Sequence, residues 1–299
     1  MKKLFLGLAL LCASLSYTGV AMAQPVTVNL CTGGDGGPYH NAGLEIAKMA
    51  KGDPTITVNV VKDTGGTWGN IQKTAIGTEC DAMIGQPDGP ALLKRTNPSA
   101  AKSLRPIADL HREYLHALCS KDSGVTDIGD LESDPKGKGY SIALGDVGSG
   151  AWLIWQNFIA EDEDYGAVPV TTDTGPIALS AVANNQVTCL LQPAALNNAL
   201  VIDADTNYGD GLILAGVNDS DFNDAVDPQG KPLYAFEKIP SGTYSKSLQS
   251  GWFTGASTIS WVAKVYVNSE RFDGKTKALN AFITAVNRAK SGIQAQYGK

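Results

Sequence analysis

The chain has 299 residues, of which 43% are hydrophobic and only 18% charged, and its formal net charge is −6. This composition is typical of a globular protein large enough for two domains with separate cores. Acidic proteins without basic runs bind nucleic acid and anionic membranes poorly, so we expect neither as a partner.

The N-terminus has the features of a secretory signal peptide. Lys2 and Lys3 precede an apolar run over 4–15, and an Ala-Met-Ala sequence with small residues at the signal-peptidase positions ends at Ala23. The apolar run is shorter than the roughly 20 residues that span a bilayer, which disfavours the alternative of a membrane anchor. We therefore expect residues 1–23 to be removed by cleavage after Ala23, and the mature protein to be periplasmic.

Strands and helices alternate through the first part of the mature chain. Apolar residues alternate with polar ones at 26–31, and further strands are predicted at 56–61 and 81–85. Helices are predicted between them, at 39–51 and 68–77. This order indicates parallel βαβ units.

A second series of elements is predicted after residue 104. Its strands are rich in apolar and β-branched residues and lie at 114–120, 140–144, 187–191 and 257–267. A helix is expected at 151–160, and a C-terminal helix has its apolar residues at core spacing. The stretch 203–231 is rich in Asp, Asn and Gly, and we expect loops there around one short strand.

Three glycine-rich loops, 32–38, 64–67 and 145–150, each follow a predicted strand and precede a predicted helix. Ligands of open α/β sheets bind at the carboxyl ends of the strands. Each loop also brings a helix N-terminus there, whose unpaired N–H groups favour an anion. Glycine is common in any turn of this kind, so a purely structural role for one such loop stays open.

Signatures of nucleotide binding and of catalysis are missing from the sequence. No G-x-x-x-x-G-K-[ST] motif occurs, and Tyr39 stands where a dinucleotide fingerprint beginning at Gly34 needs its third glycine. The Gly148-Ser149-Gly150 turn lacks the spacing of a hydrolase nucleophile elbow. We expect no cofactor, no metal site and no enzymatic activity.

Four cysteines lie beyond the signal peptide: Cys31, Cys80, Cys119 and Cys189. In an oxidising compartment an even number permits two disulfides, with three possible connectivities. We favour a bond between Cys119 and Cys189, because both lie on predicted strands of the second part of the chain. Four buried free thiols remain the alternative.

The glycine-rich motifs resemble those of a known family. The sequence TGGDGGPY over 32–39 is similar to the opening motif of the TAXI solute receptors, the extracytoplasmic binding proteins of one class of TRAP transporters. The stretches 64–67, 86–88, 148–151 and 239–244 resemble later motifs of the same family, in the same order. The likeness covers nearly the whole mature chain. Pro38, His40 and Ala151 depart from the family's usual residues at positions in the expected pocket.

The resemblance implies an α/β fold of the type II periplasmic-binding class, with a cleft between two lobes joined by two crossover strands. Lobe one is expected at 24–117 plus 256–299, and lobe two at 118–255. The resemblance further implies a monomer that captures a small carboxylate or an amino acid, such as a glutamate-like ligand, and delivers it to a membrane-embedded TRAP permease. A secreted enzyme or a ligand-sensing module on the same fold is the alternative.

Candidate ligand-binding residues follow from these motifs. We expect backbone N–H groups and hydroxyls of both lobes to hold a carboxylate, and Asp88 to face a positive group if the ligand is an amino acid. The predicted set is Thr32, Gly36, Gly37, Tyr39, Gly66, Thr67, Gln86 and Asp88 from lobe one, with Ser149, Gly150, Ala151 and Gln192 from lobe two.

Overall fold

A computed structural model describes residues 24–227, 229–250 and 255–298. In chain order the strands are β1 (Val26–Cys31), β2 (Ile56–Val61), β3 (Ala82–Gly85), β4 (Leu104–Ser120), β5 (Ile142–Ala143), β6 (Val170–Thr171), β7 (Cys189–Ala194), β8 (Leu212–Ala215), β9 (Ala235–Ile239) and β10 (Ala256–Asn268). The predicted signal peptide and its cleavage site lie outside the described residues.

The helices pack on both parts of this sheet. They are α1 (Pro38–Ala50), α2 (Gly66–Ile71), α3 (Asp88–Thr96), α4 (Pro98–Ala101), α5 (Pro135–Lys138), α6 (Gly150–Glu161), α7 (Gly175–Ala183), α8 (Ala199–Asp203) and α9 (Thr276–Tyr297). Within the described ranges, none of these helices is both long enough and apolar enough to cross a membrane.

The strand order across the sheet is β2-β1-β3-β10-β4-β7-β5-β6, with β8 paired to β4 and β9 paired to β10. On one side, β1 runs parallel to β2 and β3. On the other, β5 runs parallel to β6 and β7. The long strands β4 and β10 are antiparallel to each other and connect the two parallel groups. This arrangement confirms the predicted two-lobed α/β fold.

Each parallel group has its own hydrophobic core, because its strands alternate apolar residues towards the covering helices. We call the part of the molecule around β1, β2 and β3 the first half, and the part around β5, β6 and β7 the second half. In the first half, Leu30 of β1 is fully buried and belongs to the same cluster as Ile46 of α1 and Phe282 of α9. In the second half, the core includes Trp155 and Phe158 of α6. Separate hydrophobic clusters on the two parallel groups accompany the two-lobed arrangement.

The structure contains two disulfides, one in each half. Cys119 of β4 is bonded to Cys189 of β7, and the two residues are direct partners in the antiparallel ladder. Cys31, the last residue of β1, is bonded to Cys80, which lies just before β3. The alternative of four free thiols does not describe this structure.

Several element boundaries differ from the prediction. The strand expected at 114–120 begins earlier, at Leu104. Its first part was not predicted because exposed charged residues such as Arg105 and Asp109 interrupt the apolar alternation. The helix expected at 68–77 begins at Gly66 and widens into a π-helical segment over Gln72–Ile76. The stretch 203–231 holds the strand β8, but it also begins with a π-helical segment over Ala204–Tyr208.

Candidate functional site

A cavity of about 520 Å³ lies between the two halves, at the carboxyl ends of the parallel strands. This is the position and the size range in which α/β proteins bind small molecules. The lining residues from the first half are Pro38, Tyr39, Gly65, Gly66, Thr67, Gln86 and Glu113. Those from the second half are Leu144, Gly145, Asp146, Val147, Ser149, Gly150, Ala151, Asp173, Thr174, Gly175, Leu190, Leu191, Gln192, Pro193, Ala194 and Asn198.

In the described part of the chain, four helices begin at the cavity: α1 at Pro38, α2 at Gly66, α6 at Gly150 and α7 at Gly175. No side chain caps α1, α2 or α7, whereas Ser149 caps α6. The first backbone N–H groups of a helix have no partner within the helix, and the helix dipole adds a partial positive charge there. The cavity is therefore suited to a carboxylate or another small anion.

The buried side chain of Asn70 is hydrogen-bonded to three separate segments of the first half. The Asn70 side-chain amide donates to the carbonyl oxygens of Thr32, 2.5 Å away, and of Ile84, 2.8 Å away. Its carbonyl oxygen accepts from the hydroxyl of Thr64. Thr32 follows β1, Ile84 lies near the end of β3, and Thr64 precedes α2. Asn70 thus fixes the relative positions of the loops on this wall before any ligand arrives.

The hydroxyls on the two walls have different surroundings. Thr67 Oγ1 accepts a hydrogen bond from the backbone N–H of Gln86 at 3.1 Å. Ser149 Oγ donates to the carbonyl of Leu144 at 2.6 Å and accepts from the N–H of Trp152 at 3.1 Å. The Ser149 hydroxyl already donates its hydrogen within its own loop, so Ser149 shapes that loop and offers a ligand little more than its backbone.

Glu113 of β4 lies at the base of the cavity and is only 6% exposed. Its Oε2 accepts hydrogen bonds from the Tyr39 hydroxyl at 2.9 Å and from Trp261 Nε1 at 2.8 Å. Burial and the neighbouring carboxylate raise the pKa of Tyr39 well above its usual value, which keeps the phenol protonated as a donor. Trp261 belongs to β10, so this network joins both crossover strands.

The two halves touch beside the cavity. A Cβ atom at Gly148 would lie 3.0 Å from the Cβ of Trp68, and one at Gly150 would lie 2.7 Å from Gln86 Oε1. Gly148 also has a φ of 94°, a conformation that disfavours any other residue. These glycines allow loops of the second half to approach the first half closely.

Eight of the predicted ligand-binding residues line the cavity. They are Tyr39, Gly66, Thr67, Gln86, Ser149, Gly150, Ala151 and Gln192. Gly66, Thr67, Ser149 and Gly150 come from glycine-rich turns between a strand and a helix, which occur at the carboxyl ends of the strands. Tyr39, Gln86 and Ala151 were chosen from the family-like motifs, and Gln192 directly follows a predicted strand.

The other four predicted residues lie elsewhere. Thr32 is fully buried and donates its hydroxyl to the carbonyl of Val61 at 2.9 Å. Gly36 and Gly37 form the turn before α1 and are not among the lining residues. Asp88 is also fully buried, outside the cavity, where its Oδ1 accepts from the Tyr234 hydroxyl. Burial raises the pKa of the Asp88 carboxyl to about 7.

Glu113, Asp146 and the 173–175 segment line the cavity but were not among the predicted ligand-binding residues. The last of these could have been found, because Asp173-Thr174-Gly175 lies between β6 and α7 in the same strand–loop–helix pattern. Glu113 has no local signal. It reaches the cavity only because β4 runs past the base of the cleft and pairs with β10.

One group of acidic side chains in the described part of the chain could ligate a cation. Carboxylate oxygens of Glu132, Asp162 and Asp219 lie within 4.8 Å of one another. Burial and the charge of Asp162 raise the pKa of Glu132 to about 7. None of the three lines the cavity, and acidic groups of this kind are common in proteins that hold no metal there.

Comparisons with known proteins identify relatives of this fold. The NMT1-like family matches residues 30–279. No curated protein matches the chain in sequence.

Solved structures with the same fold are distant in sequence. MatC from Rhodopseudomonas palustris with bound malate is 15% identical at a TM-score of 0.53, over 92% of this chain and 87% of that one. A TRAP periplasmic solute-binding protein from Roseobacter denitrificans with bound L-galactonate is 14% identical at a TM-score of 0.50, over 92% and 82%. The periplasmic binding protein BugD is 14% identical at a TM-score of 0.52, over 92% and 87%.

Proposed function

We propose that this chain, which belongs to the NMT1-like family, is the periplasmic solute-binding subunit of an uptake transporter. We assign the transporter to the TRAP type, in its TAXI class, because the glycine-rich motifs resemble those of that class. The observation that carries this proposal is the cavity between two halves joined by two strands, with helix N-termini from both halves at its wall. Two structural neighbours hold malate and L-galactonate, which supports a small ligand with an anionic group.

The ligand is a small carboxylate or an amino acid such as a glutamate-like molecule. Its carboxylate lies against the backbone N–H groups at the starts of α6 and α7 and near Thr67. The protein performs no chemistry on the ligand. It acts as a monomer that releases the ligand to a membrane-embedded permease.

Capture proceeds by closure of two lobes, with the boundaries expected from the sequence: 24–117 plus 256–299, and 118–255. Among the described strands, β10 pairs with β3 of one parallel group, β4 pairs with β7 of the other, and the two pair with each other, so the strands that connect the lobes also form the hinge. A ligand that touches both walls stabilises the closed arrangement over the open one. The close approach of Gly148 to Trp68 supports closure onto a ligand at this place.

Ligand-dependent stabilisation tests the proposal. A small carboxylate or amino acid at about 100 times its dissociation constant stabilises the folded protein by about 2.7 kcal/mol. For a protein of this size that corresponds to a rise of about 5–10 °C in melting temperature. A thermal-shift screen of such compounds, preceded by mass spectrometry of whatever co-purifies with the protein, is expected to give a ligand of this class.

Substitution then tests the place of binding. Thr67→Val removes a hydroxyl from the cavity wall and is expected to weaken binding by about 1–3 kcal/mol. Thr96→Val removes a hydroxyl that donates to the Leu92 carbonyl, outside the cavity, and serves as the matched control. Equal affinity in both variants contradicts the site, and the absence of any ligand among carboxylates and amino acids contradicts the function.

A further inference from the structure

The charged side chains that line the cavity are all carboxylates: Glu113, Asp146 and Asp173. Within the described parts of the chain, no Lys, Arg or His lines it. Helix N-termini can hold an anion without a basic side chain. They do not explain three carboxylates around the same space, since these repel an anion that carries no positive group.

Glu113 is the most buried of the three carboxylates, at 6% exposed, whereas Asp146 is exposed and Asp173 half-buried. No Lys or Arg pairs with Glu113 among the described residues. Its hydrogen bonds, from Tyr39 and Trp261, come from neutral donors and both end on Oε2. A buried carboxylate without a cationic partner is energetically costly, and a cation placed beside it is held strongly.

Neither of these two donors is hydrogen-bonded to the second oxygen of Glu113, Oε1. Its nearest ionic neighbour is His111 Nε2, which lies 3.5 Å from Oε1. His111 is fully buried, and neither of its ring nitrogens has a hydrogen-bond partner. The imidazole therefore does not occupy Oε1 with a hydrogen bond.

We propose that Glu113 is the counter-ion of a positive group on the ligand, so that the natural solute is an ammonium-bearing zwitterion and not a plain carboxylate. The ligand's carboxylate lies at the helix N-termini and its ammonium points to Oε1 of Glu113. Asp146 and Asp173 add negative potential at the outer part of the cavity. This inference rests on the proposed function and gives Glu113 the role that the sequence had suggested for Asp88.

Matched pairs of probes test the inference by calorimetric titration. Each pair consists of an amino acid and the same acid without its amine: L-glutamate with glutarate, L-aspartate with succinate, and so on through the twenty amino acids. We expect one or more amino acids to bind at least about 30-fold more tightly than the matched acid. A matched acid that binds as tightly as its amino acid overturns the inference and leaves the proposed function standing. If no amino acid binds, the inference is overturned, and the proposed function is contradicted as well only if the wider screen of carboxylates also gives no ligand.

Substitutions assign the effect to Glu113. Glu113→Gln keeps the shape of the side chain and both neutral donors but removes the charge. We expect this variant to bind the amino-acid probe about 30-fold or more weakly, and to bind the matched acid no worse than the wild type does. Asp109→Asn is the control, because Asp109 lies on the same strand, is paired with Lys264, and is not a lining residue. A folded Glu113→Gln protein with the affinity of the wild type overturns the inference.

The melting temperature of Glu113→Gln without ligand shows whether this variant folds. If it does not, a second variant tests the inference. Asp173→Asn alters a half-buried loop residue, so the fold is expected to survive. This variant should bind the amino-acid probe about 2–5-fold more weakly, which is the size of a partly screened charge interaction. The ratio of its affinities for the amino acid and for the matched acid should therefore decrease. An unchanged ratio in this variant counts against the inference.

Discussion

The two walls of the cavity are built differently. On the first-half wall, Thr67 and Gln86 are buried, and Asn70 fastens the loops behind them. On the second-half wall, Asp146 is exposed and the Val147 side chain is 73% exposed. A fixed wall can present backbone N–H groups at constant positions, whereas exposed residues can differ in charge at little cost to stability. The comparison indicates a first wall that keeps its groups in place and a second wall that combines the starts of α6 and α7 with exposed residues able to vary.

The disulfides provide the largest test of this comparison, because each wall has one behind it. The bonds close stretches of sequence separation 49 and 70, for which loss of loop entropy in the unfolded chain corresponds to about 4 kcal/mol each. Cys31→Ala/Cys80→Ala and Cys119→Ala/Cys189→Ala should therefore lower the free energy of unfolding by similar amounts in urea titrations. A large inequality would show that one half owes its stability much more to covalent constraint than the other.

Asn70→Ala tests the rigidity of the first wall. Three buried hydrogen bonds are lost, and the carbonyl oxygens of Thr32 and Ile84 remain buried without this donor. We expect the free energy of unfolding to fall by about 3 kcal/mol. Asn184→Ala, which removes an exposed amide of the second half that donates to the Ser180 carbonyl, should cost less than about 0.5 kcal/mol. Similar losses for the two would contradict the special role of Asn70.

Asp88 connects the first half to Tyr234, away from the cavity, and gives a pH-dependent test. Its folded-state pKa is about 7, raised from 3.8 mainly by burial, so between these values the folded state binds more protons than the unfolded state. Stability from this group therefore decreases as the pH rises, by about 2 kcal/mol between pH 5 and pH 6.5. Denaturant titrations should show this decrease in the wild type relative to Asp88→Asn. Parallel pH profiles would contradict the assignment.

Val147→Ser tests the second wall and has the smallest expected effect. Because the side chain is 73% exposed, the free energy of unfolding should change by less than about 0.5 kcal/mol. The variant should nevertheless alter the relative affinities for solutes of different length, measured by calorimetry. Loss of stability comparable to that of Asn70→Ala would remove the contrast between the walls.

The sequence was informative where local rules decide the outcome. Gly66 and Gly150 were found because a turn from a strand into a helix has a recognisable composition. Asp88 was selected and Glu113 was not, although Glu113 is the one that lines the cavity, because only tertiary pairing separates these two acidic residues. Pairing with β10 brings Trp261 to Glu113, while the first turn of α3 buries Asp88 against Tyr234. The same limit applies to β4, whose first part was missed because its charged residues hide the alternation.

The order of the disulfides has a consequence for biogenesis. The first cysteine beyond the predicted signal peptide is bonded to the second, and the third is bonded to the fourth, so the two covalent loops neither overlap nor nest. A chain that enters an oxidising compartment N-terminus first exposes each native pair before the next pair arrives. Oxidation in order of emergence then yields the native connectivity directly. We therefore expect native pairing without a disulfide isomerase, although two of the three possible connectivities are non-native and would be accessible to a chain oxidised all at once.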